Sequence, residues 1–191
     1  QEVDIRDENA TAALAALIHQ MGGVDLVFHV SGIGKQNISL EPDVELATVE
    51  TNALGFTRMI TAAYNYFAEQ GQGHIAVLSS IAGTKGLGAA PSYSATKRFQ
   101  NTYIQCLAQQ ARIRGLRIRF TDIRPGFVDT ELLKGGSYPM LMSAEHATRR
   151  IVKALYRQER TVVVDWRYAV LVFFWKLIPD CIWEKLPIRN K

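Results

Sequence analysis

The sequence predicts an α/β fold with a parallel sheet, because short apolar runs alternate with stretches of helical periodicity. The strand candidates are residues 24–30, 74–78, 117–123 and 161–164. The first run is apolar except for Asp25 and His29, which is typical of a parallel strand covered on both faces. Apolar residues at helical spacing lie between the runs. We therefore expect a doubly wound sheet between two helical layers, a three-layer α/β/α arrangement.

Length and composition limit the architecture further. A chain of 191 residues with 48% hydrophobic content can bury one substantial core, so residues 1–191 are expected to form a single domain. Residues 166–191 form an apolar and aromatic C-terminal extension of it. The chain has no uninterrupted apolar run of about 18 residues and no signal-peptide pattern at its start. On these grounds we expect a cytoplasmic protein.

Charge and cysteine content exclude two classes of site. The net charge of +4 is modest, and the basic cluster at 149–160 does not show the interleaving of basic and aromatic residues that is typical of nucleic-acid binding, so no nucleic-acid binding is expected. Cys106 and Cys181 lie far apart without metal-ligand spacing. We interpret them as buried free thiols and expect no metal site.

The first half of the chain is predicted as strand end, helix, strand and long helix. Residues 3–5 look like the end of a strand, and residues 7–9 begin a helix that the glycine pair 22–23 ends. A long helix is expected from 41 through 67, although Asn52 and Gly55 are unfavourable inside a helix. A buried amide with satisfied hydrogen bonds would explain Asn52 without a functional role.

Tyr93 and Lys97 are the strongest candidates for chemistry. They are four residues apart in a helix expected over 91–114, so both side chains share a face at about 5–6 Å between Cβ atoms. A nearby cation favours a phenolate and makes tyrosine a useful proton donor or acceptor. Ser80 follows the strand 74–78, at the sheet edge where open α/β sheets bind ligands. Taken alone, a pair with this spacing also arises on any solvated helix face.

The order of these features resembles the short-chain dehydrogenase/reductase family. After a strand come Ser79-Ser80 and Ala82-Gly83, then Tyr93 thirteen residues beyond Ser80, then Lys97. Asn52 stands in TNALG, 28 residues before Ser80, and IRPGFVDT at 123–130 is similar to the family's segment after a later strand. The resemblance implies a Rossmann-like fold and hydride transfer between NAD or NADP and a small carbonyl or alcohol substrate.

The resemblance also implies a catalytic tetrad of Asn52, Ser80, Tyr93 and Lys97. Tyr93 exchanges a proton with the substrate oxygen, and Ser80 hydrogen-bonds the same oxygen. Lys97 lowers the pKa of Tyr93 and holds the nicotinamide ribose. The backbone carbonyl of Asn52 holds a water that is linked to Lys97.

Further residues are implied in cofactor binding. They are Asp4 at the adenine, Gly32 after the first strand, and Pro125, Gly126, Val128 and Thr130 around the nicotinamide, together with Tyr93 and Lys97. Asp4 is equally explained as a strand-end turn residue, and Thr130 as a helix N-cap. Where the family has Asn-Asn-Ala-Gly, this chain has His29-Val30-Ser31-Gly32.

The family's glycine-rich turn after the first strand does not occur in this sequence. Its absence implies that the chain begins at the family's third strand and is N-terminally incomplete. The glycines at 83, 86 and 88 follow the serine strand and are interpreted as a flexible substrate loop. Residues 134–142 are interpreted as a variable lid over the substrate.

The C-terminal segment leaves two interpretations open. A helix is expected from 143–146 to about 157, and residues 168–183 then combine aromatic, apolar and basic residues. The apolar stretch 168–178 is too short to span a bilayer, which takes about 20 residues. It suits a helix in a membrane interface or at the mouth of a lipophilic substrate site, and equally a helix in the core or a subunit contact.

The resemblance implies a homodimer or homotetramer, formed through the helices that carry Asn52 and Tyr93. Two other functions stay open at this point. One is a sugar epimerase or dehydratase of the same fold. The other is a non-catalytic or truncated relative that acts as a nucleotide-binding or scaffolding protein.

Overall fold

The fold is built on a sheet of four parallel strands in the order β1-β2-β3-β4. The computed structural model describes residues 2–130, 133 and 138–188. The strands are β1 (Leu26–His29), β2 (Gln72–Leu78), β3 (Arg117–Arg124) and β4 (Thr161–Val163). Phe28 pairs with Ala76, Ala76 with Thr121, and Ile123 with Val162. The four predicted strands and their parallel arrangement are confirmed.

Helices cover both faces of this sheet, as predicted. They are α1 (Ala10–Gln20), α2 (Pro42–Val49), α3 (Phe56–Gln70), α4 (Pro91–Ile113), α5 (Ala144–Tyr156), α6 (Trp166–Leu177) and α7 (Asp180–Trp183). Because strand side chains alternate between faces, Val77 joins the core of α3 and α4, whereas the adjacent Leu78 packs into the core of α5 and α6. The C-terminal segment thus contributes to the second helical layer.

The predicted long helix is interrupted at Asn52. Between α2 and α3 the backbone forms a wide turn of π-helical geometry, Glu50–Gly55, with Asn52 fully buried inside it. Ile5 packs against Gly55, where an added Cβ would lie 2.9 Å from the Ile5 carbonyl oxygen. The N-terminal residues therefore rest on the turn that carries Asn52.

The expected strand end at residues 3–5 is wrong. Asp4 instead opens a turn in which its carbonyl accepts the amide of Asp7, and Ile5 is buried as a single packing residue. A strand needs a hydrogen-bonded neighbour, and no described strand lies beyond β1 to supply one.

Both cysteines are exposed, which corrects the expectation of buried thiols. Cys106 lies on the outer side of α4 and Cys181 in the short α7. Within the described ranges no group of three or more His, Cys, Asp or Glu side chains is placed to hold a metal ion, and no helix is long and apolar enough to cross a bilayer.

Of the predictions for residues 130–157, the structure tests the helix after Ser143 but not the whole segment before it. The helix after Ser143 is confirmed, since the Ser143 hydroxyl accepts the amide of His146 at its N-terminus. Residues 131–132 and 134–137 lie outside the described residues. The role of Thr130 as a cap and the lid at 134–142, of which 134–137 are not described, therefore stay predictions.

A short 3₁₀ turn, Ile81–Thr84, packs tightly against α4. The Ser80 hydroxyl accepts the amide of Ala82 at the start of this turn. A Cβ at Gly83 would lie 2.5 Å from Asn101 Oδ1 and 2.6 Å from the carbonyl carbon of Lys97. Only glycine allows this approach, so Gly83 fixes the distance between the Ser80 turn and the Lys97 turn of α4.

We predict that Gly83→Ala lowers the free energy of unfolding by about 1–3 kcal/mol, because the helix backbone would have to move. Gly86→Ala in the same loop is the matched control, since a Cβ there meets nothing within 4 Å. Urea denaturation of both variants measures the difference. Equal stability of the two variants would contradict the packing described here.

Candidate active site

The candidate site lies where the carboxyl ends of β1, β2 and β3 meet. Gly32 follows β1, Ser80 follows β2, and Pro125 follows β3. The Ser79 amide donates to the Ile123 carbonyl at 2.8 Å, and the Ile81 amide donates to the Pro125 carbonyl at 3.1 Å. These bonds hold the last two strand ends together at the edge where open α/β sheets bind ligands.

Tyr93 and Lys97 enter this edge from the first turns of α4. Lys97 Nζ lies 5.8 Å from the centre of the Tyr93 ring. The backbone after β1 presses against both side chains. An added Cβ would lie 2.5 Å from the Tyr93 ring at Gly34, and at Gly32 it would lie 3.3 Å from Lys97 Nζ. The structure therefore brings Gly32 together with the predicted pair.

Lys97 is buried, with 4% of its surface exposed. Its ammonium donates to the Leu78 carbonyl at 3.0 Å and to Gln100 Oε1 at 3.1 Å. Burial lowers the pKa of Lys97 to about 8, and the negative charge of Asp122 opposes that shift. The cation is thus held by a strand end and by its own helix.

Gln100 connects Lys97 to Asn52. The Gln100 amide nitrogen donates to the backbone carbonyl of Asn52 at 2.9 Å, while its oxygen accepts from Lys97. The resemblance implied a water at this carbonyl as the link. In this chain a buried glutamine side chain makes that link directly. Gln100 is outside the family motif quoted above, so the sequence offered no signal for it beyond its position one turn after Lys97.

The Asn52 side chain serves the backbone after β1. Its Oδ1 accepts the Ile33 amide at 2.9 Å, and its Nδ2 donates to the Ile33 carbonyl at 2.6 Å. The amide is therefore satisfied, as the non-functional interpretation expected. Through these bonds it also fixes the Gly32–Gly34 segment against Tyr93 and Lys97.

The pKa of Tyr93 moves in the direction opposite to the prediction. Burial of the hydroxyl raises the pKa above the ordinary tyrosine value, and hydrogen bonding with Ser80 only partly opposes this. Lys97 is not among the groups that lower it, and its ammonium donates to the Leu78 carbonyl and to Gln100. Tyr93 in this arrangement is a protonated donor next to Ser80.

A buried carboxylate in β3 binds residues next to the candidate site. Asp122 is 1% exposed and accepts hydrogen bonds from Ser79, Asn101 and Arg124. Ser79 directly follows β2, Asn101 is in α4 and Arg124 is the last residue of β3. Asn101 lies one turn beyond Lys97, so the network joins α4 to the end of β2, just before Ser80. Sequence reasoning missed Asp122 because it stands inside a strand pattern.

The segment after β3 is held by α6. The Tyr168 hydroxyl donates to the Pro139 carbonyl at 2.8 Å and accepts the Phe127 amide at 3.2 Å. A Cβ at Gly126 would lie 2.3 Å from the Tyr168 ring. Helix α6 therefore positions the backbone that was predicted to line the nicotinamide.

The remaining predicted cofactor residues make local contacts. The Asp4 carboxylate is exposed and paired with Arg6 at 2.6 Å, which lowers the Asp4 pKa to about 2. Val128 bridges to Met142, and the exposed Thr130 hydroxyl donates to the Val128 carbonyl at 3.3 Å. Cofactor contacts by Asp4, Val128 and Thr130 stay predictions.

Comparisons with known proteins indicate one family for this chain. A family model described as short chain dehydrogenase matches residues 1–137. An uncharacterized oxidoreductase of Myxococcus xanthus is 31% identical over 188 residues, which cover 96% of this chain and 74% of the relative. An uncharacterized oxidoreductase of Mycobacterium tuberculosis is 32% identical over 186 residues, covering 93% of this chain and 72% of the relative.

The fold is shared with solved structures. A short chain dehydrogenase from Burkholderia cenocepacia, crystallised in complex with NADP, superposes with a TM-score of 0.82 at 20% identity. The superposition covers 98% of this chain and 80% of that one. At this level of identity the comparison establishes the fold, a Rossmann-like α/β sheet.

His29 is a buried titratable group beneath the site. It packs edge-on against Phe56, and its Nε2 has no hydrogen-bond partner among the described residues. Burial, with a smaller contribution from the charge of Lys97, lowers the His29 pKa to about 4. Because the unfolded chain binds this proton near pH 6.5, the unfolded state holds more protons than the folded state between pH 4 and 6.5.

We therefore predict that stability falls as the pH drops from about 6.5 to 4, and that His29→Asn removes about 3 kcal/mol of this loss. Urea denaturation across that pH range measures the slope for each protein. His19→Asn, at an exposed position of α1, is the control and should keep the wild-type slope. An unchanged slope in His29→Asn would contradict the assignment of a buried neutral imidazole.

Proposed function

The chain belongs to the short chain dehydrogenase family, and on that premise we propose that it transfers a hydride between NAD or NADP and a carbonyl or alcohol substrate. One observation carries the proposal. Tyr93 and Lys97 are held side by side at the carboxyl edge of the sheet, with Ser80 at the phenol. Proton transfer and oxyanion stabilisation at one carbonyl oxygen need this set of donors.

The residues present fit the nicotinamide half of such a cofactor. The close approach that Gly32 allows, and the adjacent Lys97 ammonium, suit a ribose whose hydroxyls accept hydrogen bonds. We assign Tyr93 and Lys97 to the ribose, and Gly32 with the backbone of Pro125, Gly126 and Val128 to the nicotinamide. The cofactor, when bound, supplies or accepts the hydride.

Tyr93 acts as the acid in the direction of carbonyl reduction. Its raised pKa keeps the phenol protonated at neutral pH, so the proton is available to the substrate oxygen. In the alcohol direction the same group must act as a base, and its raised pKa makes ionisation harder. We therefore expect reduction to be the faster direction at neutral pH.

Ser80 stabilises negative charge that develops on the substrate oxygen. Its oxygen already accepts the Ala82 amide at 3.0 Å, which fixes the hydroxyl in place. The hydroxyl proton is then the group that can be directed at Tyr93 or at a substrate oxygen. Ser80 thus serves both the proton donor and the reacting carbonyl.

Lys97 holds a positive charge at the site at neutral pH, because its lowered pKa of about 8 is still above 7. Gln100 and the Leu78 carbonyl position the ammonium, and Gln100 connects it to the Asn52 carbonyl. Asn52 acts here as a positioning residue for the segment after β1.

We propose that the substrate carries an apolar body. A cleft of about 1160 Å³ lies between the loop that follows Ser80 and the C-terminal segment. Its lining includes Leu87, Trp183, Leu186 and Ile188, and it reaches the Tyr93 turn of α4 at Pro91 and Ser94. Five charged side chains also line it, Lys85, Arg98, Lys176, Asp180 and Glu184, and Lys85 is paired with Asp180. Ligand sites combine apolar walls with polar groups in this way.

A homodimer or homotetramer is also part of the proposal. Exposed apolar side chains lie along α2, the wide turn and α4, at Leu46, Val49, Leu54 and Phe99. Such a row is more typical of a covered surface than of a free one. Light scattering that gave a monomer mass would contradict this part.

We predict that Tyr93→Phe loses nearly all turnover, a reduction of at least about a hundredfold, because the proton donor is removed. Reduction of straight-chain aldehydes and ketones of increasing length, with NADH and with NADPH, is the assay. Tyr103→Phe on the same helix is the control, since its hydroxyl contacts only Thr61 among the described residues.

Wild-type-like turnover in Tyr93→Phe with an unchanged circular dichroism spectrum would contradict the proposed mechanism. Within the substrate series, rates that rise with chain length support the apolar substrate. Activity restricted to small polar ketones would contradict that assignment while leaving the hydride transfer in place.

A further inference from the structure

Helix α6 has two apolar faces, of which only one is buried. The inner face consists of Tyr168, Val172 and Trp175, which pack into the core beside β3 and β4. Apolar residues also recur along the outer side at helical spacing. These are Trp166, Val170, Phe173, Phe174 and Leu177, and between 47% and 75% of each is exposed.

This outer stripe is unusual for a helix at a protein surface, where the exposed side is normally polar. Five large apolar side chains, three of them aromatic, face away from the core along twelve residues. Exposed apolar surface of this kind marks a site of interaction. The inner face is already used by the fold, so the stripe serves no packing role within the described chain.

The charges on α6 define the kind of partner. At 100° per residue, Arg167 and Lys176 lie about a quarter turn to either side of the stripe. No acidic residue occurs between Trp166 and Leu177. Arg167 is paired with Asp165, and Lys176 is exposed. Beyond α6, Asp180 is bound by Lys85, and Glu184 and Lys185 carry opposite charges.

We propose that this outer stripe of α6 lies in the interface of an anionic lipid bilayer. Aromatic side chains suit the boundary between headgroups and acyl chains, and the exposed ammonium of Lys176 suits anionic headgroups. A helix of twelve residues is about 18 Å long and cannot span a bilayer, so it lies in the plane of the surface.

A second copy of the chain fits the stripe less well. Between Trp166 and Leu177 the helix offers no carboxylate to a second copy, so a paired arrangement would leave the Lys176 charge without a partner, whereas Arg167 already has Asp165. An anionic membrane surface supplies that charge. The proposal is independent of the catalytic assignment, because it depends only on the outer face of α6.

Helix α6 contacts both the candidate active site and the cleft proposed for the substrate. Tyr168 on the inner face holds the Gly126–Phe127 backbone, and Lys176 lines the cleft proposed for the substrate. A bilayer on the outer face would therefore lie against the helix that contributes Lys176 to this cleft. Substrates with an apolar body would be concentrated there.

The test is sedimentation of the whole chain with phosphatidylcholine vesicles that contain or lack phosphatidylglycerol. We expect binding to the anionic vesicles, weaker binding to the neutral ones, and a decrease as salt is raised. Phe173→Ser with Phe174→Ser should reduce binding at least about tenfold. The matched control is Ile113→Ser with Tyr156→Ser, two exposed apolar residues on other helices.

Absence of binding to either vesicle would overturn the proposal, as would an equal loss in the control variant. Self-association that depends on Phe173 and Phe174, without vesicle binding, would assign the stripe to a second copy instead. Tyr93→Phe should bind vesicles like the wild type, so failure of the catalytic assignment is distinguishable from failure of this one.

Discussion

Burial of the Lys97 ammonium is the constraint on which the candidate site depends. A charge removed from water is costly unless each donor is satisfied and an opposite charge lies near. Here the Leu78 carbonyl and Gln100 bind the ammonium, and the Asp122 carboxylate acts on it through the core. These partners belong to different elements. Satisfying one cation therefore fixes the end of β2, the first turns of α4 and the wide turn at Asn52 relative to one another.

Close packing around Lys97 and Tyr93 also determines the proton chemistry of Tyr93. Gly32, Gly34 and Gly83 let backbone approach Lys97 and Tyr93 more closely than any side chain would allow. The resulting burial raises the Tyr93 pKa, which favours a proton donor over a phenolate. Tyr168 completes the enclosure, because its hydroxyl and ring hold the segment after β3. The C-terminal helix is thus part of the architecture of the site, and its outer face remains available for other contacts.

Much of this arrangement was predictable, since it depends on local patterns. Apolar runs identified all four strands, and the spacing of Ser80, Tyr93 and Lys97 identified the site edge. Gln100 and Asp122 could not be found this way, because their roles depend on contacts between distant segments. The Tyr93 pKa was predicted in the wrong direction because helix spacing places a cation nearby but does not show how deeply the phenol is buried. Residues 3–5 have a strand-like composition, but a strand forms only where a neighbouring strand hydrogen-bonds to it, and the described chain offers none there.

The central claim is that Lys97 and its surroundings form a nicotinamide nucleotide site, and direct binding tests it most simply. Titration of the chain with NADPH and with NADH, followed by nucleotide fluorescence, measures affinity without any assumption about the substrate. We expect saturable binding of at least one nucleotide, weakened at least about tenfold in Lys97→Met, which removes the ammonium that we assign to the ribose. Folded wild-type protein that binds neither nucleotide, or a Lys97→Met variant that binds as tightly as the wild type, would contradict the account.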